Sequence, residues 1–297
     1  MRLATIAIDR SDATTAAVIT PAGAIPVEGY RDVGALLAAG DGGLAAARAA
    51  AAAAHAGLAR PLAPGTLRAP VLQPGATVCV GLNYSNHVLE MGRELPKHPT
   101  LFSKLPRALA QRPDRASLPA PSLSQQADWE GELVVVIGRR VGGVLEREQA
   151  RDAIAGYTLM NDLSVRDVQR RTTQWFAGKN IADSTPTGPW LVTADEFGDP
   201  ARHELVLEVN GEQRQRSSLG ELIFDAADLV VYVAQLFALE PGDLIATGTP
   251  GGVGQAMTPP QYLRDGDRVT VTVAAIGTLE TTFGVPREPA RAAQTRG

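Results

Sequence analysis

The stretch D-W-E-G-E-L-V-V-V-I-G, residues 128–138, constrains the fold of this chain more than any other. Leu133 to Ile137 form an unbroken apolar run rich in β-branched residues, the pattern of a strand covered on both faces. Two acids, Glu130 and Glu132, open that run. Side chains alternate along a strand, so these two carboxylates share a face. Like charges at the mouth of a buried strand repel, and burying either one unpaired is costly or shifts its pKa. Two arrangements resolve the conflict: a half-exposed strand start with both glutamates solvated, or a cation between them. Oxygen-only ligands suit a hard divalent ion, Mg2+ or Mn2+ in preference to Ca2+.

A third acid bears on the choice. Asp162 follows A-G-Y-T-L-M-N, in which Tyr157 to Met160 reads as an apolar strand. Paired beside the first strand, it brings Asp162 near Glu130 and Glu132. The same segment, N-D-L-S-V-R-D-V-Q, also reads as a helix start with Asp162 as its cap. No His or Cys cluster has zinc spacing. His87 and Glu90, three apart in N-Y-S-N-H-V-L-E-M-G, are neighbours on a helical turn, where a carboxylate orients an imidazole as a general base; taken in isolation, the pair reads first as a surface ion pair. Lys179 lies in a long polar loop, F-A-G-K-N-I-A-D-S-T-P-T-G-P-W, and either holds a substrate oxyanion or is solvated. A-T-G-T-P-G-G-V-G, 246–254, has no GK[ST] and no following helix pattern, so it is a backbone-presenting loop and not a phosphate loop. A serine-hydrolase elbow is absent.

The remainder of the chain sets the context. Residues 1–30 read as short strands and 31–59 as helix, with ten alanines in the twelve residues 45–56. R-P-L-A-P-G-T-L-R-A-P, 60–70, reads as a linker, so a small N-terminal domain is expected over 1–62 and a larger one over 70–285, with 286–297 a flexible tail. Strand-like runs dominate after residue 71, and one helix is expected over about 221–238. Strands do not alternate regularly with helices, which predicts a β-rich α+β body and argues against a doubly wound sheet. A net charge of -4 argues against a nucleic-acid footprint. No apolar run is long enough for a membrane span, and Asp9 and Arg10 come too early for a signal-peptide core; a cytoplasmic protein is expected. The single cysteine, Cys79, sits in an apolar run and reads as a core residue.

N-Y-S-N-H-V-L-E-M-G, L-F-S-K-L-P-R-A-L, D-W-E-G-E-L-V-V-V-I-G, G-Y-T-L-M-N-D-L-S-V-R-D-V-Q, G-K-N-I-A-D-S-T-P-T-G-P-W, V-N-G-E-Q-R-Q and L-E-P-G-D-L-I-A-T-G-T-P-G-G-V-G occur in that order over about residues 70–280. Together they resemble the fumarylacetoacetate hydrolase family, nearer its acylpyruvate-hydrolase branch. The resemblance implies a mixed β-roll or barrel body, a homodimer, and a small 2-oxo or β-diketo acid as partner. It implies Glu130, Glu132 and Asp162 as ligands of Mg2+ or Mn2+. It implies His87 and Glu90 as a water-activating dyad on a segment that closes over substrate. Arg166, Gln169, Lys179 and Thr249, with the neighbouring Gly248, match substrate-holding positions. Lys104 stands where the family often has lysine followed directly by proline; Leu105 intervenes here, so no role is assigned to it.

The expected reaction is metal-dependent hydrolysis of a carbon–carbon bond in an acylpyruvate, such as fumarylpyruvate, to pyruvate and a carboxylic acid. In it His87 activates water, the cation stabilises the departing enolate, and Lys179 with the 249–252 loop stabilises developing charge. Decarboxylation of an oxaloacetate-type acid, or enol–keto isomerisation, uses the same cation without an attacking water and stands as the alternative.

Overall fold

The computed structural model describes residues 1–8, 13–53, 59–63, 65–85 and 94–286. The larger sheet runs β3 (Gly23–Val27), β2 (Thr14–Thr20), β1 (Arg2–Ala7), β12 (Thr187–Thr193), β10 (Ile154–Asn161), β9 (Gly131–Ile137), β15 (Leu244–Ala246), β5 (Thr77–Gly81) and β6 (Thr100–Ser103), with β4 (Leu67–Arg68) on β1. A second sheet runs β14 (Glu212–Ser218), β13 (Glu204–Val209), β16 (Arg268–Val273), β17 (Gly277–Gly284) and β7 (Arg115–Ser117). β8 (Ala127–Asp128) and β11 (Ser164–Val165) form a separate pair. The β-rich α+β class expected from the sequence holds. The barrel does not: among the described residues neither large sheet closes on itself.

β9 is central because both of its faces are covered. Leu133, Val135 and Ile137 pack into one core with Leu205 and Leu207 of β13, Val271 of β16 and Val230 of helix α7 (Ala226–Ala234). Val134 and Val136 point the other way, into a core with Met160, Val33 and Leu36 of α1 (Val33–Ala38) and Ala47 of α2 (Asp41–Ala52). Burial on both faces is what the unbroken apolar run requires, and each buried valine is worth roughly 1.5–3 kcal/mol. Cys79, fully buried, belongs to this second core, and burial first, then the Asp162 and Glu132 charges, push its thiol upward.

α7 is shorter than the apolar spacing predicts. Asp225 caps it, its carboxylate accepting from the Asp228 N–H while Asp228 reaches back to the Asp225 N–H, and Leu219–Glu221 form a separate 3-10 turn. β1 pairs with β12, so the N-terminal strands extend the same sheet that carries β9. No helix among the described residues is long and apolar enough to cross a membrane.

Candidate active site

β9 and β10 are antiparallel, with Glu132 opposite Met160 and Gly131 opposite Asn161. That register brings Asp162, just past β10, level with Glu130, just before β9. The corner is locked by the backbone: the Asp162 N–H donates to the Glu130 carbonyl at 2.8 Å, and the Glu130 N–H donates to Asn161 Oδ1 at 2.9 Å. Glu130, Glu132 and Asp162 each place a carboxylate oxygen within 4.8 Å of the others, and all three are buried. Of the two sequence readings of Asp162, the strand-paired one is the geometry observed.

Three cations converge on these acids. Lys179, at the C-terminal end of α5 (Phe176–Lys179), lies between two of them, with Nζ 2.6 Å from Glu130 Oε2 and 2.7 Å from Asp162 Oδ2. Lys104, just past β6, holds the far side of Asp162 at 2.8 Å and donates to the Lys179 carbonyl. Arg166 opens α4 (Arg166–Gln169); its Nη1 lies 2.7 Å from Glu130 Oε1 and 3.1 Å from Gln169 Oε1. All three cations are buried. Lys179 reaches its place because α5 lies against α4 at Gly178, where a Cβ would stand 2.5 Å from that of Gln169. Any side chain there forces the two short helices apart.

The charges are uneven. Four buried carboxylates, counting Asp128, face three cations, Lys104, Arg166 and Lys179. Burial opposes the charge of Glu130, but Lys179 and Arg166 outweigh it and hold the carboxyl at about 2. Burial also opposes the charge on Lys179, and Asp162 and Glu130 more than restore it, raising its pKa. Glu132 lacks a cation of its own. Its Oε2 accepts the Gly248 N–H at 2.8 Å, and burial, reinforced by Asp162 and Glu130, pushes its carboxyl well upward. A buried carboxyl so raised, beside two further carboxyl groups, is a site whose unmet charge a divalent cation would satisfy.

A divalent cation fits this set. Its donors are all oxygen, they are preassembled on a rigid strand corner, and one negative charge is in excess. Arg166 Nη2 is buried without a partner, which suits an anionic ligand beside the cluster. Among the described residues no histidine joins the site: His98 stacks on Tyr232, and His203 bonds the Phe197 carbonyl. His87 and Glu90 lie outside the described residues.

The remaining sequence candidates fall at the rim. Gly248 has φ +100°, and a Cβ would meet the Val80 carbonyl oxygen at 2.9 Å, so only glycine lets its N–H reach Glu132. The Thr249 hydroxyl donates to the Gly131 carbonyl at 3.0 Å and accepts from Gln215 Nε2 at 2.8 Å. Gln215 also accepts the Gly131 N–H at 2.9 Å, tying the loop after β15 to the start of β9. The sequence did not point to Gln215. Its signal was its place in V-N-G-E-Q-R-Q, on a strand of the other sheet.

Known proteins share this architecture. The model of the fumarylacetoacetate hydrolase C-terminal domain matches residues 76–284. Oxaloacetate tautomerase YisK of Bacillus subtilis is 41% identical over 221 residues, 73% of this chain and 73% of that protein. The fumarylacetoacetate hydrolase of the psychrophile Exiguobacterium antarcticum superposes with a TM-score of 0.83 at 32% identity, covering 96% of this chain and all of that one. The maleylpyruvate hydrolase of Sphingobium sp. SYK-6, solved with manganese(II) and pyruvate, superposes with a TM-score of 0.77 at 28% identity over 97% of this chain and all of that one. These findings overturn the expectation of acylpyruvate hydrolysis. The relative at 41% identity is a tautomerase, and the hydrolase with bound pyruvate is a more distant structural neighbour. With a C-terminal model covering its catalytic body and a carboxylate cluster at the expected corner, the chain belongs to the fumarylacetoacetate hydrolase family.

Proposed function

We propose that this chain interconverts the enol and keto forms of an oxaloacetate-type 2-oxo acid, with Mg2+ or Mn2+ as the divalent ion. The observation that carries the proposal is the buried cluster of Glu130, Glu132 and Asp162 ringed by Lys104, Lys179 and Arg166. The identity to oxaloacetate tautomerase YisK supports it. Held by the three carboxylates, the cation would supply Lewis acidity toward the 2-oxo acid, lowering the cost of charge on its C2 oxygen.

The residues divide the remaining work. The unpartnered Arg166 Nη2 binds a substrate carboxylate, with Gln169 bracing the guanidinium. Lys179 Nζ, held charged between Glu130 and Asp162, stabilises negative charge developing on the substrate's C2 oxygen. His87 and Glu90, read from the sequence as a water-activating dyad, are the acid–base pair assigned here to moving the proton at C3. Gly248 and Thr249 close the wall beside Glu132. Tautomerisation needs a proton moved within the substrate and no attacking water, so it uses the set at hand.

Proton NMR in D2O tests the reading. The expected result is cation-dependent deuterium entry at C3 of oxaloacetate, faster than in buffer with the cation alone. Exchange at the rate of that buffer would overturn it.

A further inference from the structure

Asp128 has no part in the reaction above, yet it is among the most completely bonded side chains near the site. It ends β8, is fully buried, and offers both oxygens to four donors. Oδ1 accepts from the Trp129 N–H at 2.9 Å and the Gly254 N–H at 2.7 Å. Oδ2 accepts from the Gln255 N–H at 3.0 Å and from Arg166 Nε at 2.7 Å.

Those donors belong to two different walls. Arg166 reaches Glu130 and Gln169 through Nη1, leaving Nη2 unpartnered. The loop after β15 is held at its near end by Gln215, which donates to Thr249 Oγ at 2.8 Å and to the Pro250 carbonyl at 2.8 Å. Its far end, Gly254 and Gln255, is held by Asp128. A guanidinium is planar, so fixing Nε and Nη1 fixes the direction of Nη2. A carboxylate that binds Nε while bonded to a rigid loop therefore sets where the free N–H points.

We propose that Asp128 is a positioning residue for the 2-oxo acid: through Arg166 Nε it aims Nη2 at the substrate carboxylate, and through Gly254 and Gln255 it joins that aim to the loop closing the site. This rests on the tautomerase reading for the identity of the ligand, and on geometry alone for the link itself.

Calorimetry with oxalate, a planar mimic of a 2-oxo carboxylate, tests it on the Mn2+-loaded protein in wild type, Asp128→Asn, Arg166→Gln and the double variant. Asparagine keeps the size of Asp128 but loses the charge that holds Arg166. The expected result is an oxalate affinity lowered about 30-fold by Asp128→Asn in the wild-type background and less than about 3-fold in the Arg166→Gln background. Mn2+ affinity measured without oxalate should change less than about 3-fold, which a general loosening of the fold would not leave intact. Equal oxalate losses in both backgrounds would overturn the proposal. If wild type binds no oxalate, the tautomerase reading fails and the link is judged on the Arg166 Nε–H resonance. Slow exchange in wild type and fast exchange in Asp128→Asn sustain it; no difference overturns it. If Asp128→Asn does not fold, Arg166→Lys replaces it, a variant that keeps the charge but cannot span Asp128 and substrate. A loss of oxalate affinity with Gly254 and Gln255 amides still protected is then expected, and undiminished affinity overturns the proposal.

Discussion

Replacing Lys179 with methionine keeps a side chain of similar length but removes a buried ammonium, whose Nζ also lies over the Phe102 ring at 5.0 Å from its centroid. The lost charge stands 2.6 Å from Glu130 and 2.7 Å from Asp162, both buried. Breaking a buried ion pair from one side costs about 3–5 kcal/mol, because the remaining charge is left without a partner. For a chain of this size that corresponds to a fall of roughly 5–8 °C in Tm for the metal-free protein. The pH dependence follows from Glu130. Its folded carboxyl is held at about 2, below the ordinary 4.5, so its contribution is complete above the unfolded value and is lost as pH falls toward 2. Without Lys179 that contribution shrinks, and the gap between variant and wild type should narrow as pH is lowered from about 4.5 toward 2. A divalent cation supplies charge to the same oxygens, so Mn2+ should raise the Tm of Lys179→Met by more than it raises that of wild type. Thermal unfolding with Mn2+ or chelator at several pH values reads all three effects. A metal-free variant as stable as wild type, or a deficit independent of both pH and Mn2+, would refute the reasoning.

Asp162→Asn removes one ligand oxygen's charge from the cluster, and Mn2+ affinity measured by calorimetry should fall roughly 100-fold or more. Burial, with Asp162 and Glu130, holds the Glu132 carboxyl above its ordinary value, so without metal its contribution to stability is greatest at low pH and is lost as pH rises through the raised value. Cation binding must displace that proton; titrations in buffers of different ionisation enthalpy should show proton release, with affinity rising with pH. Gly178→Ala places a Cβ within 2.5 Å of Gln169 Cβ, pushes α5 off α4 and should lower both turnover and Tm whether or not metal is present. Gln215→Leu strands the Gly131 N–H and frees Thr249, and should cost about 1–3 kcal/mol by chemical denaturation.

The metal corner was legible because its logic is local. Strand alternation alone puts Glu130 and Glu132 on one face, and the apolar run after them demands a strand with both sides covered. Asp162 needed one further assumption, that its strand pairs with the first, and the Met160–Glu132 register supplies it. What was not legible depends on contacts far apart in the chain. Gln215 meets Gly131 from a strand of the other sheet, and Asp128 meets Gly254 across 126 residues of sequence. Lys104 drew no assignment because Leu105 separates it from proline; the backbone nevertheless turns it inward onto Asp162, while Leu105 faces solvent. The reaction was misjudged for a different reason. The same carboxylates serve hydrolysis and tautomerisation, so ligand residues do not reveal which bond changes.

The measurement that bears most directly on the central claim follows the enol form of oxaloacetate by its ultraviolet absorbance, with Mg2+ or Mn2+ and with chelator, while mass spectrometry monitors the products. The account predicts that the protein with cation accelerates loss of the enol, that the four-carbon acid is recovered intact as the keto form, and that chelator abolishes the effect. No acceleration over cation alone, or release of carbon dioxide and pyruvate at the rate the enol disappears, would contradict it.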